Sequence, residues 1–473
     1  MLRTGLIGSS LAIGACSPES SMSPSHARPA FTIQDGAHSG NLHFFFLPPM
    51  VPAPKFSGTF DGTRSPVIRI TEDGSLLVEL GATVPPGSQQ YQAEWHTDRF
   101  NLDPAKTYRI SVLFRGEVLG FADVDVVATG GQLKNVNTGE YIPLLDGRTL
   151  PIKFRIENGA IKPVVTMTDL GNWGASRINS SGQIAGQGMV ASGEYHAVRW
   201  DPITGITDLG VLGHSELFAG NSGAFGINDA GQVVGYSSTT AGRQHAFRWD
   251  PATGMTDLGA LNGDYSLARD INVAGQVAGD VINWGMHAFR WDQATGFTDL
   301  GVLAGSRSYG YGINAAGQVA GISDGPKPGV VGGLEHHAFV WAPATGMTDL
   351  DPGGGGSGAY DINDAGQVVG YGVVPGGGFR WDPATGMLAL PTLGGTGGAA
   401  QGINSAGQVV GYSTTASGET HAFWWDPVIG MIDLGTLGGN YSAAGDINAA
   451  GQVVGGSTTA SGETHAVLWT IVR

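Results

Sequence analysis

The chain has 473 residues, which is too long for one ordinary hydrophobic core and predicts at least two domains. Its formal net charge of -16 argues against a nucleic-acid-binding protein, because a phosphate backbone must be neutralised by basic residues. With 14% charged residues and 79 glycines, the composition favours many short strands and tight turns over helices.

The first 16 residues have the layout of a secretory signal, with a basic start, an apolar run from Leu6 to Ala15 and small residues before a cut. The run is too short to span a bilayer. The segment from Ile13 to Cys16 resembles a bacterial lipobox, in which the cysteine carries the lipid. Cys16 is the single cysteine of the chain, which favours lipidation over the alternative of a plain signal peptide. Through Ser17, the resemblance implies an outer-membrane destination, so membrane contact is expected only through this anchor.

Residues 17–30 lack apolar periodicity and are rich in Ser and Pro, which is typical of a disordered tether. A coil of this length spans roughly 20 Å. The tether is therefore long enough to hold a domain clear of a lipid surface.

Residues 31–161 form the next predicted unit, in which apolar and polar residues alternate over 108–114, 123–126 and 150–157. Such patterning, bounded by Gly and Pro, indicates half-buried strands. It predicts a small β-sandwich of immunoglobulin-like type, without the cysteine pair of true immunoglobulin domains. The run from His43 to Leu47 is interpreted as a core strand ended by Pro48 and Pro49. The alternative is a surface patch that contacts a membrane or a partner.

From residue 164 to 473 one sequence pattern recurs, and a Gly-Gln pair marks each copy. The glutamines are separated by roughly 40 to 50 residues, a period typical of propellers and other repeat arrays. They are Gln183, Gln232, Gln276, Gln318, Gln367, Gln408 and Gln452.

Four copies contain the triplet His-Ala-Phe, which begins at His245, His287, His337 and His421. In this feature the tract, about two thirds of the chain, resembles the HAF-type extracellular repeat family. The resemblance implies a secreted or surface-exposed bacterial protein, and it implies no known chemistry.

Each copy supplies four strand candidates separated by recognisable turns. An Asn-x-x-Gly turn follows the first candidate and an Asp-Pro-Ala-Thr-Gly turn follows the third, since these residues supply the backbone angles of tight turns. Four antiparallel strands in about 44 residues make one propeller blade. The predicted fold class is therefore all-β, with a seven-bladed β-propeller after the sandwich.

The tract begins with a lone strand candidate from Met167 to Leu170 and ends with one from His465 to Trp469, and each lacks the partner that the other supplies. Pairing them would remove two open edges that invite aggregation. An open solenoid would carry distinct polar caps, and none is visible. We therefore predict a closed ring in which the N-terminal strand is the outermost strand of the last blade.

Histidine and tryptophan recur at equivalent places in the copies, although the fifth copy has Gly378 instead of the histidine. One histidine per blade is spread around a ring and does not converge on a metal ion, so a structural role is favoured. The tryptophans are interpreted as inter-blade core rather than as a carbohydrate platform. The predicted structural residues are His196, His245, His287, His337, His421, His465, Trp200, Trp249, Trp291, Trp341, Trp381, Trp425 and Trp469.

Two further motifs suggest ligands but fit turns or strands better. The segment from Asp361 to Gly366 resembles a calcium loop but lacks the later oxygen ligands and the closing Glu. The segment from Gly395 to Ala400 matches a dinucleotide fingerprint, but no helix is predicted after it. No metal, cofactor or catalytic residue is therefore predicted.

The two recurring turns keep their lengths among the copies, while the other two connections of each blade vary. In an up-and-down blade the variable connections emerge on one face, which is the predicted binding surface. The longest insertions run from Val211 to Ala224 and from Ile322 to His336. The candidate contact residues are His214, Glu216, Phe218, Trp173, Trp284, Asp324, Lys327, Glu335 and His336.

These features predict a non-enzymatic cell-surface lipoprotein whose propeller binds or adheres to a protein or glycan, and not to nucleic acid. One alternative is a carbohydrate-active lyase or hydrolase, which needs paired carboxylates, with Glu216 and Glu335 as the loop candidates. A structural envelope protein is the third hypothesis.

Overall fold

The computed structural model describes residues 33–56, 58–127, 142–145, 147–161, 163–214, 220–261, 265–282, 285–372 and 377–472. The chain divides into two compact units, Met1–Ile161 and Lys162–Arg473, close to the boundary predicted between sandwich and repeats. Cys16 and the tether lie outside the described residues. Within the described ranges, no helix is both long and apolar enough to cross a membrane.

The N-terminal unit is built from strands and one short 3-10 helix, Thr97–Arg99. The strands are β1 (Ile33–Gln34), β2 (Phe44–Phe46), β3 (Val67–Glu72), β4 (Ser75–Gly81), β5 (Tyr91–His96), β6 (Tyr108–Phe114), β7 (Glu117–Val127), β8 (Ile142–Leu145) and β9 (Thr149–Ile156). One sheet has the order β1-β7-β6-β3-β4, with β8 parallel to β7, and the other has the order β2-β9-β5. Strands β6, β7 and β9 confirm the predicted alternating segments.

The core of this unit lies between its two sheets. The side chains of Ile110 on one sheet and Phe154 on the other are fully buried in the same cluster. Phe44 and Phe46 are also fully buried, and their strand pairs antiparallel with β9. The interpretation of the His43 to Leu47 run as a core strand is therefore confirmed.

In the C-terminal unit each repeat forms an antiparallel meander of four strands, listed here by their position in the repeat. The first strands are β11 (Gly174–Ile178), β15 (Ser222–Ile227), β19 (Tyr265–Ile271), β23 (Ser308–Ile313), β27 (Gly358–Ile362), β31 (Gly394–Ile403) and β35 (Gly438–Ile447). The second strands are β12 (Ile184–Met189), β16 (Val233–Ser238), β20 (Val277–Ile282), β24 (Val319–Pro326), β28 (Val368–Tyr371), β32 (Val409–Thr415) and β36 (Gln452–Thr459).

The outer two strands of each repeat complete the meanders. The third strands are β13 (Tyr195–Asp201), β17 (Gln244–Asp250), β21 (Met286–Asp292), β25 (Leu334–Ala342), β29 (Gly378–Asp382), β33 (Thr420–Asp426) and β37 (Thr464–Val472). The fourth strands are β14 (Gly205–Asp208), β18 (Gly254–Gly259), β22 (Gly296–Asp299), β26 (Gly346–Asp349), β30 (Gly386–Ala389) and β34 (Gly430–Asp433), and β10 (Val164–Gly171) takes the fourth place beside β37.

The recurring turns form for the reasons predicted from their residues. In the Asn-x-x-Gly turn after β15, the Asn228 Oδ1 accepts the amide hydrogens of Ala230 at 3.1 Å and Gln232 at 3.0 Å. Gly231 has a φ of 73°, which glycine adopts without strain. The asparagine and glycine therefore fix the first hairpin of the repeat.

The repeats form a closed β-propeller. The first strand of each meander contacts the first strand of the next, and β35 contacts β11, so the inner strands return to their starting point. Strand β10 pairs antiparallel with β37, from Val164 opposite Val472 to Asp169 opposite Val467. The predicted pairing of the two ends of the tract is therefore present, and it covers both open edges.

Candidate functional site

An asparagine ring lines one mouth of the central channel, on the side of the Asn-x-x-Gly turns. Each asparagine donates from Nδ2 to the main-chain oxygen of the asparagine in the next repeat, as Asn179 does to Asn228 at 3.0 Å. The bond from Asn448 to the oxygen of Asn179, also 3.0 Å, completes the series. The intermediate donors are Asn228, Asn272, Asn314, Asn363 and Asn404. A cavity of about 270 Å³ lies at this mouth.

A charged layer lies deeper in the channel. Its residues stand at the sequence position just before the Ile-Asn pair of each repeat. The Arg177 Nη1 is 3.2 Å from the Asp361 Oδ2 and 3.4 Å from the Asp446 Oδ1. Asp270 belongs to the same layer, so three carboxylates share one guanidinium. Burial raises the pKa of Asp270 to about 7 and that of Asp446 to about 6, against the opposing effect of Arg177.

These carboxylates also join neighbouring inner strands. The Asp361 Oδ1 accepts the amide hydrogen of Ile362, and its Oδ2 accepts that of Ile403 in the next repeat, both at 2.9 Å. The repeat before Asp361 has Gly312 at the equivalent position, where an added Cβ would lie only 2.9 Å from the Asp361 Cα. Glycine is therefore required beside the aspartate because the strands approach so closely.

A second cavity, of about 260 Å³, lies on the other side of the charged layer, toward the variable connections. We call it the central cavity. Its lining is Ser176, Arg177, Phe225, Arg269, Tyr311, Tyr360, Gln401 and Gly445. Except for Arg177, which belongs to the charged layer, these residues occupy one equivalent position in successive repeats. The position carries a different residue in almost every copy, whereas the isoleucine and asparagine just after it are the same in every copy.

A β-bulge creates this lining. In β11, Ala175 is opposite Gly186 and Arg177 is opposite Ala185, so Ser176 is an extra residue without a cross-strand partner. The register shifts at the same place in the first strands of all the remaining repeats. A bulge re-aims side chains, and here both Ser176 and Arg177 line the cavity.

The polar and aromatic groups of the central cavity contact one another. Arg269 Nε donates to the Asp280 Oδ1 at 2.5 Å, and its guanidinium lies 4.4 Å from the ring centre of Tyr311. The Tyr311 and Tyr360 rings meet edge to face, with centroids 5.2 Å apart. Both tyrosine hydroxyls are protonated at neutral pH, and burial raises their pKa further above it.

The variable connections lie on the face toward which the central cavity is displaced. Strands alternate in direction within each meander, so the connection after the second strand and the connection after the fourth emerge on the same side. They also bond each other, since Gly213 N donates to the Ser238 oxygen at 3.1 Å and Ala304 N to the Asp324 oxygen at 2.8 Å. Of the predicted contact residues, Glu216, Phe218 and Trp284 lie outside the described residues.

Three of the predicted contact residues are exposed on this face. His214 is 59% exposed, with its Nδ1 3.6 Å from the Glu194 Oε1. Lys327 and His336 are exposed on the long β24–β25 hairpin, where His336 is opposite Asp324. These three residues remain available for contact with a partner.

The other described candidates are engaged in contacts within the protein, so their predicted role as contact residues for a partner is wrong. Trp173 is buried, and its Nε1 donates to the Leu170 oxygen at 2.9 Å. Asp324 is buried and pairs with Arg307 at 3.4 Å. The Glu335 carboxylate accepts the Gly355 amide hydrogen at 2.9 Å and lies 3.5 Å from the His337 Nε2. These side chains hold the loops in place instead of presenting free groups.

The recurring histidines pair with an aspartate on the fourth strand of their own meander. The Nδ1 of His245 lies 2.9 Å from the Asp257 Oδ2, and the Asp257 Oδ1 accepts the Gly259 amide hydrogen at 2.7 Å. Each imidazole thus stabilises a turn, which fits the structural role predicted. The equivalent pairs are His196–Asp208, His287–Asp299, His337–Asp349, His421–Asp433 and His465–Asp169.

The recurring tryptophans lie between neighbouring repeats. The guanidinium of Arg199 is 4.9 Å from the ring centre of Trp249 in the next repeat, a cation–π contact. Arg248, Arg290 and Arg380 make the same contact with Trp291, Trp341 and Trp425. Trp469 is fully buried, and Trp200 and Trp381 are half-buried in their clusters. This placement fits inter-blade packing.

The motifs interpreted as turn and strand have those structures. The Asn363 Oδ1 accepts the amide hydrogens of Ala365 and Gln367, and the Asp364 Oδ1 accepts that of Ala315 at 2.8 Å. These oxygens are therefore engaged by the backbone. Residues 394–403 form β31, with no helix after them. In the described residues, no group of three or more His, Cys, Asp or Glu side chains is arranged to hold a metal ion.

No protein-family model matches the chain, and no curated protein matches it. Solved structures of similar fold include the β-propeller domain of the trilobed protease from Pyrococcus furiosus, with a TM-score of 0.45 and 10% identity over 63% of this chain and 95% of that one. A gluconolactonase from Xanthomonas campestris has a TM-score of 0.34 and 9% identity, over 66% and 95% of the two chains. A lectin from Burkholderia pseudomallei has a TM-score of 0.36 and 9% identity, over 66% and 96%. Similarity this low assigns no role to any residue of this chain.

Proposed function

We propose that this protein is a non-enzymatic, lipid-anchored binding module of the bacterial cell surface, and that the propeller face with the variable connections binds a protein or glycan. The anchor would be Cys16. The leading unit would serve as a spacer of immunoglobulin-like type, and the propeller would have seven blades, one for each asparagine of the ring.

One observation carries the binding function. Every repeat keeps the isoleucine and the asparagine of the asparagine ring, yet the repeats differ at the bulge position two residues before that isoleucine, which lines the central cavity. An asymmetric ligand needs unlike groups around it, whereas a purely structural channel would be served by one repeated residue. The unlike residues therefore support recognition on this face.

The proposed function is tested on the full chain with a glycan array and with pulldown of purified envelope proteins. In a variant, residues 214–219 are replaced by a Gly-Ser segment of equal length, which leaves β15 intact because that strand begins at Ser222. We expect binding by the native chain and weaker binding by the variant. Absence of binding to every glycan and envelope protein would refute the function, as would turnover of a polysaccharide.

The anchor is tested separately from the ligand. Metabolic labelling with a fatty acid should mark the native protein and not a Cys16→Ser variant. Labelling of both, or of neither, would contradict lipidation at Cys16 without bearing on the propeller.

A further inference from the structure

We propose that the central cavity binds an uncharged sugar ring, such as the terminal residue of a neutral glycan. This assignment rests on the proposed binding function and names its ligand class. It follows from which groups of the cavity are already neutralised by the protein and which remain available.

The charged groups of the cavity are satisfied within the protein. Arg269 is paired with Asp280 at 2.5 Å, and Arg177 lies within 3.4 Å of two carboxylates. Within the part of the chain that the structure describes, the only charged residues of the lining are Arg177 and Arg269, so an anionic ligand would have to compete with the carboxylates that already pair with them. A cationic ligand would meet two guanidinium groups, and Arg269 already covers the Tyr311 ring. The cavity therefore disfavours net charge of either sign.

The groups that remain are neutral hydrogen-bonding groups and aromatic rings. Among the described residues, no protein group bonds the Ser176 hydroxyl, the Gln401 amide or the Tyr311 and Tyr360 hydroxyls, and all of these residues line the cavity. Phe225 adds another aromatic ring. Sugars combine hydroxyl groups with an apolar ring face, so they match both kinds of group.

The size of the cavity limits the ligand to something small. Its volume of about 260 Å³ falls below the roughly 300–1,000 Å³ typical of sites for drug-sized molecules. Gly445 adds no side chain to the lining, and a Cβ there would lie only 3.0 Å from the Ser176 oxygen, so the two inner strands approach closely on that side. One sugar ring fits these limits, with the rest of a glycan extending toward the variable connections.

The test measures binding of methyl glycosides of glucose, galactose and mannose to the full chain by calorimetry, with glucuronate and a tri-lysine peptide as charged probes. The variants are Gln401→Leu, which removes the amide at nearly constant size, and Tyr360→Ala. Tyr441→Ala is the matched control, because Tyr441 is 43% exposed and does not line the cavity. Thermal unfolding of each variant checks its fold, and Gln401→Leu decides the outcome if Tyr360→Ala unfolds.

We expect at least one neutral glycoside to bind and Gln401→Leu to weaken it by up to about tenfold, the effect of one or two lost hydrogen bonds. Tyr441→Ala should bind as the native chain does. Saturation by glucuronate or the peptide instead would overturn the assignment, and so would no binding of any glycoside. If protein or glycan binding persists in the cavity variants but is lost with residues 214–219, the proposed function stands and the sugar site falls.

Discussion

Replacing Asn448 by Ala removes the link that joins the last repeat to the first in the asparagine ring. The Asn448 Oδ1 accepts the amide hydrogens of Ala450 and Gln452, both at 3.0 Å. Its Nδ2 donates to the Gln452 Oε1 at 2.8 Å and to the Asn179 oxygen at 3.0 Å. The substitution therefore removes four hydrogen bonds at once, one of which crosses the closure of the ring.

The magnitude follows from these bonds and from the cavity beside them. Each bond contributes about 0.5–1.5 kcal/mol net. Water in the adjacent cavity can satisfy part of what Asn448 leaves unpaired, which lowers the total. We expect Asn448→Ala to lower the free energy of unfolding by about 2–3 kcal/mol. Asn363→Ala should cost the same, because Asn363 makes the equivalent bonds inside the tract.

The assay is urea unfolding followed by tryptophan fluorescence, with Asn440→Ala as control because Asn440 is exposed. In an open stack Asn448 would have no acceptor in the first repeat, and its variant would cost about 1 kcal/mol less than Asn363→Ala. That result, or a loss no larger than in Asn440→Ala, would refute ring closure.

Two further predictions concern pH. Burial raises the folded-state pKa of Asp270 to about 7 and that of Asp446 to about 6. As the pH rises, the unfolded chain therefore releases these two protons near pH 4, before the folded protein does. The free energy of unfolding consequently falls as the pH rises from about 4 through 7. Arg177→Met should therefore cost about 3–5 kcal/mol in urea unfolding at pH 8 and less at pH 5, whereas an equal loss at both would contradict the charged layer. The His465 hydrogen bond and the Gly171 amide lower the pKa of Asp169, which stabilises the fold above about pH 4 and is lost as pH falls through the lowered pKa. The thermal midpoints of Asp169→Asn and the native chain should then converge as the pH falls below about 4 and through the lowered pKa, and a constant difference would count against the pair.

Alternation and turn residues were enough to predict most of the strands. They predicted β6, β7 and β9, and the incomplete first and last copies predicted the pairing of β10 with β37. The reason is that each of these features depends on local periodicity or on matching edges, which a sequence displays directly.

The central cavity could not be predicted in the same way. A strand read with period two places neighbouring residues on opposite faces, but the bulge at Ser176 lets it and Arg177 line one cavity. The sequence did contain one signal for the cavity, because the residue two positions before the isoleucine of each Ile-Asn pair differs among the repeats while that isoleucine does not. Trp173 and Asp324 were misassigned for the opposite reason, since departures from the repeat can also fill the core or brace a loop.

The fifth repeat separates the roles of the recurring polar residues. It lacks both members of the histidine–aspartate pair, with Gly378 and Ala389 in their places, yet β29 and β30 still pair and Leu390 N donates to the Gly378 oxygen at 2.9 Å. The pair acts within one meander, so a repeat can lose it without affecting its neighbours. Each ring asparagine bonds the next repeat, as Asn363 does when its Nδ2 donates to the Asn404 oxygen. Replacing one ring asparagine would therefore leave the main-chain oxygen of the next one without its partner. This difference explains why every repeat keeps the asparagine while one has lost the histidine.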